Sequence, residues 1–305
     1  MGLNLYVHPG SYSCWCTEVL LQELGAKHTV HEIDLHSGAQ YSPEFLALSE
    51  RGNVPVLKIE EVTLVGAPRI REYLKTTEPY SMRDVFKGKS EAYLDKLDSV
   101  PVGHMTYGLA FHLELSKVLR YPYSNGDYPE MAREYVLNRG ARLQEAALNS
   151  SDPAVTQSLL EYGEEHQKNI SRYVNYDEYN SVLRSVSAVL DFFEAELGKP
   201  DASLWLGGHI FGSADILLGL LLHRIWQIGL ELEMFTDGVR PHLTVYYDRI
   251  KKRPSFCRVT RWSEETREII LKTTEDKFVE NAKVGVGMML LMGGLYVGKK
   301  IFAKK

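Results

Sequence analysis

Residues able to do chemistry fall in a few short stretches of this sequence. Ser11 follows an alternating stretch, Leu3, Leu5 and Val7, and directly precedes a helical pattern. At a helix N-terminus its hydroxyl either caps the helix or donates a hydrogen bond to a thiolate, with the helix dipole adding to that stabilisation. Three residues on, Cys14 is followed by Cys16 in a C-x-C spacing. Side chains two apart on a helix point about 200° apart, so the two do not form a redox pair. Cys16 belongs in the core, and Cys14 is either a core residue as well or a reactive thiol. His28 and His31 stand an odd number apart on an extended segment, hence on opposite faces, and cannot share a metal. No metal site is expected. Gly285-Val286-Gly287 has neither the preceding strand nor the lysine of a nucleotide loop. Asp215, three residues after Gly212, fits the acid of a capping box in which glycine replaces the usual Ser or Thr.

Positioning these residues takes two kinds of domain. Leu3, Leu5 and Val7 recur at period two, a strand; Cys16, Val19, Leu20 and Leu24 recur at helical spacing, and Gly25 stops that helix. Thr29 to Leu35 reads as a second strand, and Ser42-Pro43 as the N-cap and first residue of a short helix. Val56 to Ile59 and Val62 to Leu64 make a hairpin, and Pro68 starts another helix. The order βαβ, short α, ββα predicts an α/β thioredoxin-like domain over residues 1–79. An all-α domain follows over 88–270, with helices expected at about Ser90 to Leu119, Pro129 to Ala147, Pro153 to Tyr173, Asp177 to Leu197, Ser213 to Leu230 and Pro241 to Lys252. Ile216 to Leu222 is apolar on every face and predicts the central core helix; Asp215, His223 and Arg224 bracket it too closely for a membrane span.

The chain has 305 residues, 44% apolar and 25% charged, an ordinary globular composition that excludes disordered and collagen-like classes. Its net charge of -5 argues against a basic groove for nucleic acid. Three cysteines are too few for a disulfide scaffold and favour a reducing compartment. The charge is uneven: residues 282–305 hold five lysines and no acid, which leaves the first 281 residues at -10. Between Lys283 and Lys299 run fifteen uncharged, mostly apolar residues. As a helix they reach about 22 Å against a hydrocarbon core of about 30 Å. Snorkelling lysines extend the span to 282–303, a C-terminal transmembrane helix anchored by Val284, Leu290, Leu291, Leu295 and Val297. A buried terminal helix is the alternative, but glycines lower helix propensity in water and are common in membrane helices. The N-terminus carries no signal core, and Tyr6 stands where a myristoylation signal would have Ser or Thr. Insertion is therefore expected after synthesis, with the acidic body left in the cytosol.

Three places in the body resemble the glutathione S-transferase superfamily: Phe45 to Ser49 leading to Gly52-Asn53-Val54-Pro55-Val56-Leu57, similar to the segment with a cis proline; Trp205 to Asp215, similar to the motif opening the core helix; and Ser11-Tyr12-Ser13-Cys14, where serine- and cysteine-type transferases hold the residue that activates glutathione. Leu222-His223-Arg224, Arg240-Pro241-His242-Leu243 with Tyr246-Tyr247, a helical insert at roughly 121–176 and the apolar tail look most like the ganglioside-induced differentiation-associated proteins. That resemblance implies a glutathione S-transferase fold and a tail-anchored protein of the mitochondrial outer membrane that promotes fission and handles redox state. It also implies partners in the fission machinery or cytoskeleton, and a homodimer whose geometry the insert could alter. Ser11 and Cys14 become the candidate catalytic residues, and Val54, Pro55, Gly66 and Ala67 the candidate glutathione-binding ones. In the superfamily an acid followed by serine at the turn into the third helix holds the γ-glutamyl end; here the turn reads Val65-Gly66-Ala67-Pro68. Two charge-assisted hydrogen bonds of about 1.5 to 3 kcal/mol each are missing, so glutathione should bind poorly and conjugation should be weak or absent. No other cofactor is expected. The alternative is a working transferase or thiol reductase using Ser11 or Cys14. The charges of the insert, including Glu161, Glu164, Glu165, Arg172 and Asp177, read as a solvated face or as a surface for cytoskeletal or membrane partners.

Overall fold

A computed structural model of the protein describes residues 2–35, 37–82, 84–86, 89–116 and 127–260. Strand β1 (Leu3–Val7) buries Leu3, Leu5 and Val7 on one face, as its alternation requires. Helix α1 (Tyr12–Glu23) crosses to β2 (His28–Glu32), which pairs parallel to β1. After the short α2 (Pro43–Leu46) come β3 (Val56–Ile59), antiparallel to β1, and β4 (Val62–Val65), giving the sheet order β2-β1-β3-β4. Helix α3 (Ala67–Thr76) follows, with Ile70 and Leu74 fully buried. This is the thioredoxin-like arrangement. The second strand stops at Glu32 and not at the expected Leu35, because β1 ends at Val7 and leaves Ile33 only one further backbone bond, to the Val7 carbonyl at 2.7 Å.

The single helix expected from Ser90 to Leu119 is broken. Its described part consists of a 3-10 turn at Lys89–Tyr93, α4 (Leu94–Asp98), α5 (Val102–Gly108) and two further 3-10 turns at Leu109–Phe111 and Leu113–Leu115. Pro101 supplies the reason: it lacks an N–H and pushes Val100 out of helical backbone, so the helix must restart after it. The remaining helices follow the sequence more closely. They are α6 (Asp127–Asn149), α7 (Pro153–Asn169), α8 (Ser171–Val174), α9 (Tyr176–Leu197), α10 (Ser213–Gln227), α11 (Glu231–Met234) and α12 (Pro241–Ile250). Three starts are capped by the expected chemistry: Ser42 accepts from the Phe45 N–H, Asp152 from Ala154 and Asn175 from Glu178.

Helix α10 is the core helix, buried from Ser213 to Ile225. Gly219 lets α12 approach it so closely that a Cβ there would lie 2.7 Å from Ile250 Cδ1. Asp215 accepts the Gly212 N–H at 2.7 Å, the Leu206 N–H at 2.8 Å and the Tyr246 hydroxyl, so its role is the structural one expected. Helices α6 and α7 pack as a hairpin with a small core of their own, Leu143, Ala146, Ala147, Val155 and Leu159, and this core also takes in Leu46 from α2. Near the end of the described chain, Arg253 Nη2 pairs with Glu23 at the end of α1 at 2.7 Å, and the Ser255 hydroxyl donates to the same carboxylate. The expected tail helix at 282–303, with its five anchor residues, lies outside the described residues. Among the described residues no helix is long and apolar enough to cross a membrane.

Candidate functional site

A cleft of about 260 Å³ opens where the β1–α1 loop, the segment before Pro55, and helices α5, α6 and α10 meet. Ser11 is at its edge, as the N-cap residue of α1, yet its hydroxyl makes no cap hydrogen bond. It interacts instead with the Cys14 sulfur, which also accepts the His8 N–H at 3.4 Å. Of the two roles expected for Ser11, side-chain capping is therefore absent, and an accessible hydroxyl at a helix N-terminus remains.

Cys14 does not meet the requirement for a reactive thiol. It is fully buried, and burial pushes its thiol up to about 12, against the smaller opposing effect of its bonds to Ser11 and His8. Cys16 packs in the core as expected, and burial likewise pushes it up to about 12. Cys257 is the exposed thiol, far along the chain, with its sulfur 2.8 Å from the Lys251 carbonyl.

The Val54–Pro55 peptide is cis, as the resemblance implied, and Val54 lines the cleft together with Gly52 and Asn53. Gly52 is required there: its φ is +64°, and a Cβ would lie 2.7 Å from the Gln40 carbonyl oxygen. Asn53 is held by its N–H, which donates to Ser49 Oγ at 2.8 Å. Gly66 and Ala67 are not among the residues that line the cleft. The Gly66 N–H is spent on the Pro55 carbonyl at 2.9 Å, and its φ is +90°. Ala67 faces Cys16 and Arg71 instead.

Two cations that sequence reasoning did not assign to the site stand in the cleft wall. Arg224, on the buried helix α10, donates to the Gly10 carbonyl at 2.6 Å and lies 4.3 Å from the Trp15 ring centroid. Arg139, on α6, is stacked 4.7 Å from the Tyr162 ring and 5.6 Å from the Tyr135 ring, and it donates to the Tyr162 hydroxyl. Tyr107 and Tyr135 stack on each other with ring centroids 4.9 Å apart and line the same space. No Asp or Glu lines the cleft among the described residues. A sequence signal for Arg139 exists: it stands in register with Ala132, Val136, Leu143 and Ala146, the buried stripe of α6. A cation on an apolar stripe faces either a partner or a cavity.

The other singled-out residues are structural. His31 Nε2 is 2.9 Å from Asn4 Oδ1, and His28 Nδ1 is 2.8 Å from the Ala26 carbonyl. Among the described residues no cluster could hold a metal. Glu161, Glu164 and Glu165 of the insert are solvent-exposed, as a solvated face requires, and two of them also reach the first domain. Arg51 reaches Glu165 at 3.4 Å, Glu161 at 3.9 Å and the Ser158 hydroxyl at 3.3 Å, while the Tyr162 hydroxyl donates to Asn53 Oδ1.

Residues 1–76 match the family model of the glutathione S-transferase N-terminal domain. Over 276 residues the chain is 25% identical to human ganglioside-induced differentiation-associated protein 1-like 1, covering 85% of this chain and 73% of that protein. It is 21% identical over 263 residues to glutathione S-transferase TCHQD of Arabidopsis thaliana, covering 84% of this chain and 89% of that one. Among solved structures, β-etherase LigF from Sphingobium sp. strain SYK-6 aligns with a TM-score of 0.57 at 18% identity, over 86% of this chain and 99% of that one. Glutathione transferase F2 from Populus trichocarpa aligns with a TM-score of 0.54 at 17% identity, over 86% and 99%. These likenesses fix the fold, a thioredoxin-like domain followed by a helical one.

Proposed function

Because the chain is a glutathione S-transferase-like protein related to the ganglioside-induced differentiation-associated proteins, we propose that it acts as a tail-anchored regulator at the mitochondrial outer membrane. In this reading its body faces the cytosol, promotes fission and influences redox state through protein partners, with little or no glutathione conjugation. The observation that carries the weak-conjugation part is the charge of the cleft: two arginines and no carboxylate line it among the described residues. Among the described lining residues no carboxylate can pair with a γ-glutamyl ammonium, and Gly66 and Ala67 offer neither an acid nor a hydroxyl. Losing two charge-assisted bonds weakens binding by roughly a hundredfold to ten-thousandfold. The lysine-flanked apolar segment at 282–303 supports the membrane location.

Titration calorimetry with glutathione tests the first part. No heat up to about 5 mM supports the reading, and a dissociation constant well below millimolar overturns it. Deleting residues 282–305 tests the second: an N-terminally tagged protein should leave the membrane fraction after carbonate extraction and lose its effect on mitochondrial shape. An unchanged location removes the anchor from the reading.

One observation favours a second reading, a working transferase. The Ser11 hydroxyl stands at the N-terminus of α1, on the cleft, without a cap bond. Cys14 drops out of that alternative because its thiol is buried and protonated. Conjugation activity abolished by Ser11→Ala would establish it.

A further inference from the structure

Six cations, Arg240, Arg249, Lys251, Lys252, Arg253 and Arg258, and a single acid, Asp248, fall within residues 240–260. That stretch carries +5, whereas the rest of the first 281 residues carries -15. Three of the cations have a carboxylate partner: Arg240 pairs with Asp191, Lys251 with Asp248 and Arg253 with Glu23. Arg249 donates to the Leu204 carbonyl, which leaves its charge unbalanced. Lys252 and Arg258 are exposed and form no ion pair among the described residues.

These unbalanced charges belong to one surface. Val245, Arg249 and Lys252 follow helical spacing along the outer side of α12, whose last turn is extended by the Lys252 N–H donating to the Arg249 carbonyl at 3.3 Å. Residues 254–260 are helical again and bury Ser255, Phe256, Val259 and Thr260, which leaves Cys257 and Arg258 outward. The Cys257 sulfur lies 2.8 Å from the Lys251 carbonyl, so the two exposed segments adjoin. Leu204 and Val245, 47% and 59% exposed, place apolar side chains beside the cations.

A surface of this kind suits an anionic lipid interface. Each Lys or Arg close to such an interface contributes roughly fivefold in affinity, and three together about a hundredfold. Exposed Leu and Val add contact with the acyl boundary, which a purely polar polyanion does not offer. The 21 residues between 260 and 282 span at most about 75 Å, so in the membrane reading above the face acts as a tethered ligand whose weak attraction is amplified by proximity. We propose that the face formed by Arg249, Lys252 and Arg258, with Val245 and Leu204, docks onto an anionic phospholipid surface. The choice of a membrane as the partner rests on that reading. The proposal goes beyond it by giving the body a membrane contact of its own, sensitive to lipid charge.

Cys257, the exposed thiol beside Arg258, serves as the reporter. Full-length protein is mixed with vesicles of phosphatidylcholine alone or with about 30% phosphatidylserine, and the rate of Cys257 modification by an uncharged, water-soluble maleimide is measured. The anionic vesicles should slow the reaction at least about tenfold relative to the neutral ones. Salt at about 1 M, where the Debye length is about 3 Å, should restore the rate. The double variant Lys252→Glu/Arg258→Glu should lose the protection with unchanged circular dichroism; if it does not fold, the salt comparison on the unmodified protein decides. Equal rates on the two kinds of vesicle, protection that survives salt, or protection retained by the folded double variant would each overturn the proposal. So would protection by poly-glutamate and not by anionic vesicles, which would assign the face to an acidic protein. Carbonate-resistant retention on neutral vesicles reports the tail separately, so the anchor and the docking face fail independently of each other.

Discussion

The hydroxyl of Tyr162 donates a 3.1 Å hydrogen bond to the side-chain oxygen of Asn53, and the same hydroxyl accepts from Arg139. Tyr162 belongs to the insert, and Asn53 lies two residues before the cis proline of the thioredoxin-like domain. The insert is thereby fastened to the loop that shapes the cleft. Tyr162→Phe removes both bonds, and the expected loss in urea unfolding is about 1 to 3 kcal/mol. A double-mutant cycle with Asn53→Ala should give a coupling of about 0.5 to 1.5 kcal/mol. Zero coupling would mean that the insert is not fastened at this point.

Thiol chemistry separates the three cysteines. Burial holds the Cys14 and Cys16 thiols protonated at neutral pH, whereas Cys257 is exposed. The native protein should react with Ellman's reagent at one thiol quickly and release the other two only in denaturant. Rapid modification of Cys14 in the folded state would restore it as a reactive residue.

Glu18 gives a pH dependence of definite sign. Burial, and secondarily the charge of Glu32, pushes its carboxyl up to about 7 from an ordinary 4.5. Between those two values the folded chain keeps a proton that the unfolded chain has lost, so stability from this group falls as pH rises and is level above the window. His104 acts oppositely, since burial lowers it to about 4 and stability from it falls as the medium becomes more acid than 6.5. The difference between wild type and Glu18→Gln isolates the first effect. The variant should be more stable by about 1 to 2 kcal/mol at pH 7.5 and equal near pH 4, allowing for partial solvent screening. A difference that does not change with pH would refute the assignment.

Asp215 holds together the 205–212 loop, the start of α10 and, through Tyr246, helix α12. Asp215→Ala leaves two backbone N–H groups and a tyrosine hydroxyl without an acceptor in the core. The expected cost is at least about 3 kcal/mol, measured as a shifted urea midpoint with an unchanged slope. A loss below about 1 kcal/mol would indicate that water replaces the carboxylate.

Much of this architecture was legible in the sequence because it rests on local rules. The alternation of Leu3, Leu5 and Val7, the Pro55 segment, and the spacing of Gly212 and Asp215 each announce themselves within a dozen residues. What failed was of two kinds. The break at Pro101 was overridden by the helical periodicity on either side of it, although the proline carries its own physical signal. The cleft itself depends on contacts between residues far apart in sequence. Ser11, Val54, Thr106, Arg139 and Arg224 come from five separate parts of the chain, and only Arg139 belongs to the insert. Arg139 belongs to no motif, and only its register with Val136 and Leu143 marks it in the sequence.

Glu23 closes the account of how the chain leaves this domain. Its carboxylate takes both Arg253 and Ser255, a few residues before position 260, and ties them to the far end of α1. The beginning of α1, on the other side of the same helix, carries Ser11 at the cleft. A pull exerted on the chain beyond residue 260 would therefore meet the buried Thr260, Val259 and Phe256 first and this clasp next. Glu23→Ala would remove the polar part of this anchorage and leave the apolar part, Phe256 and Val259, in place.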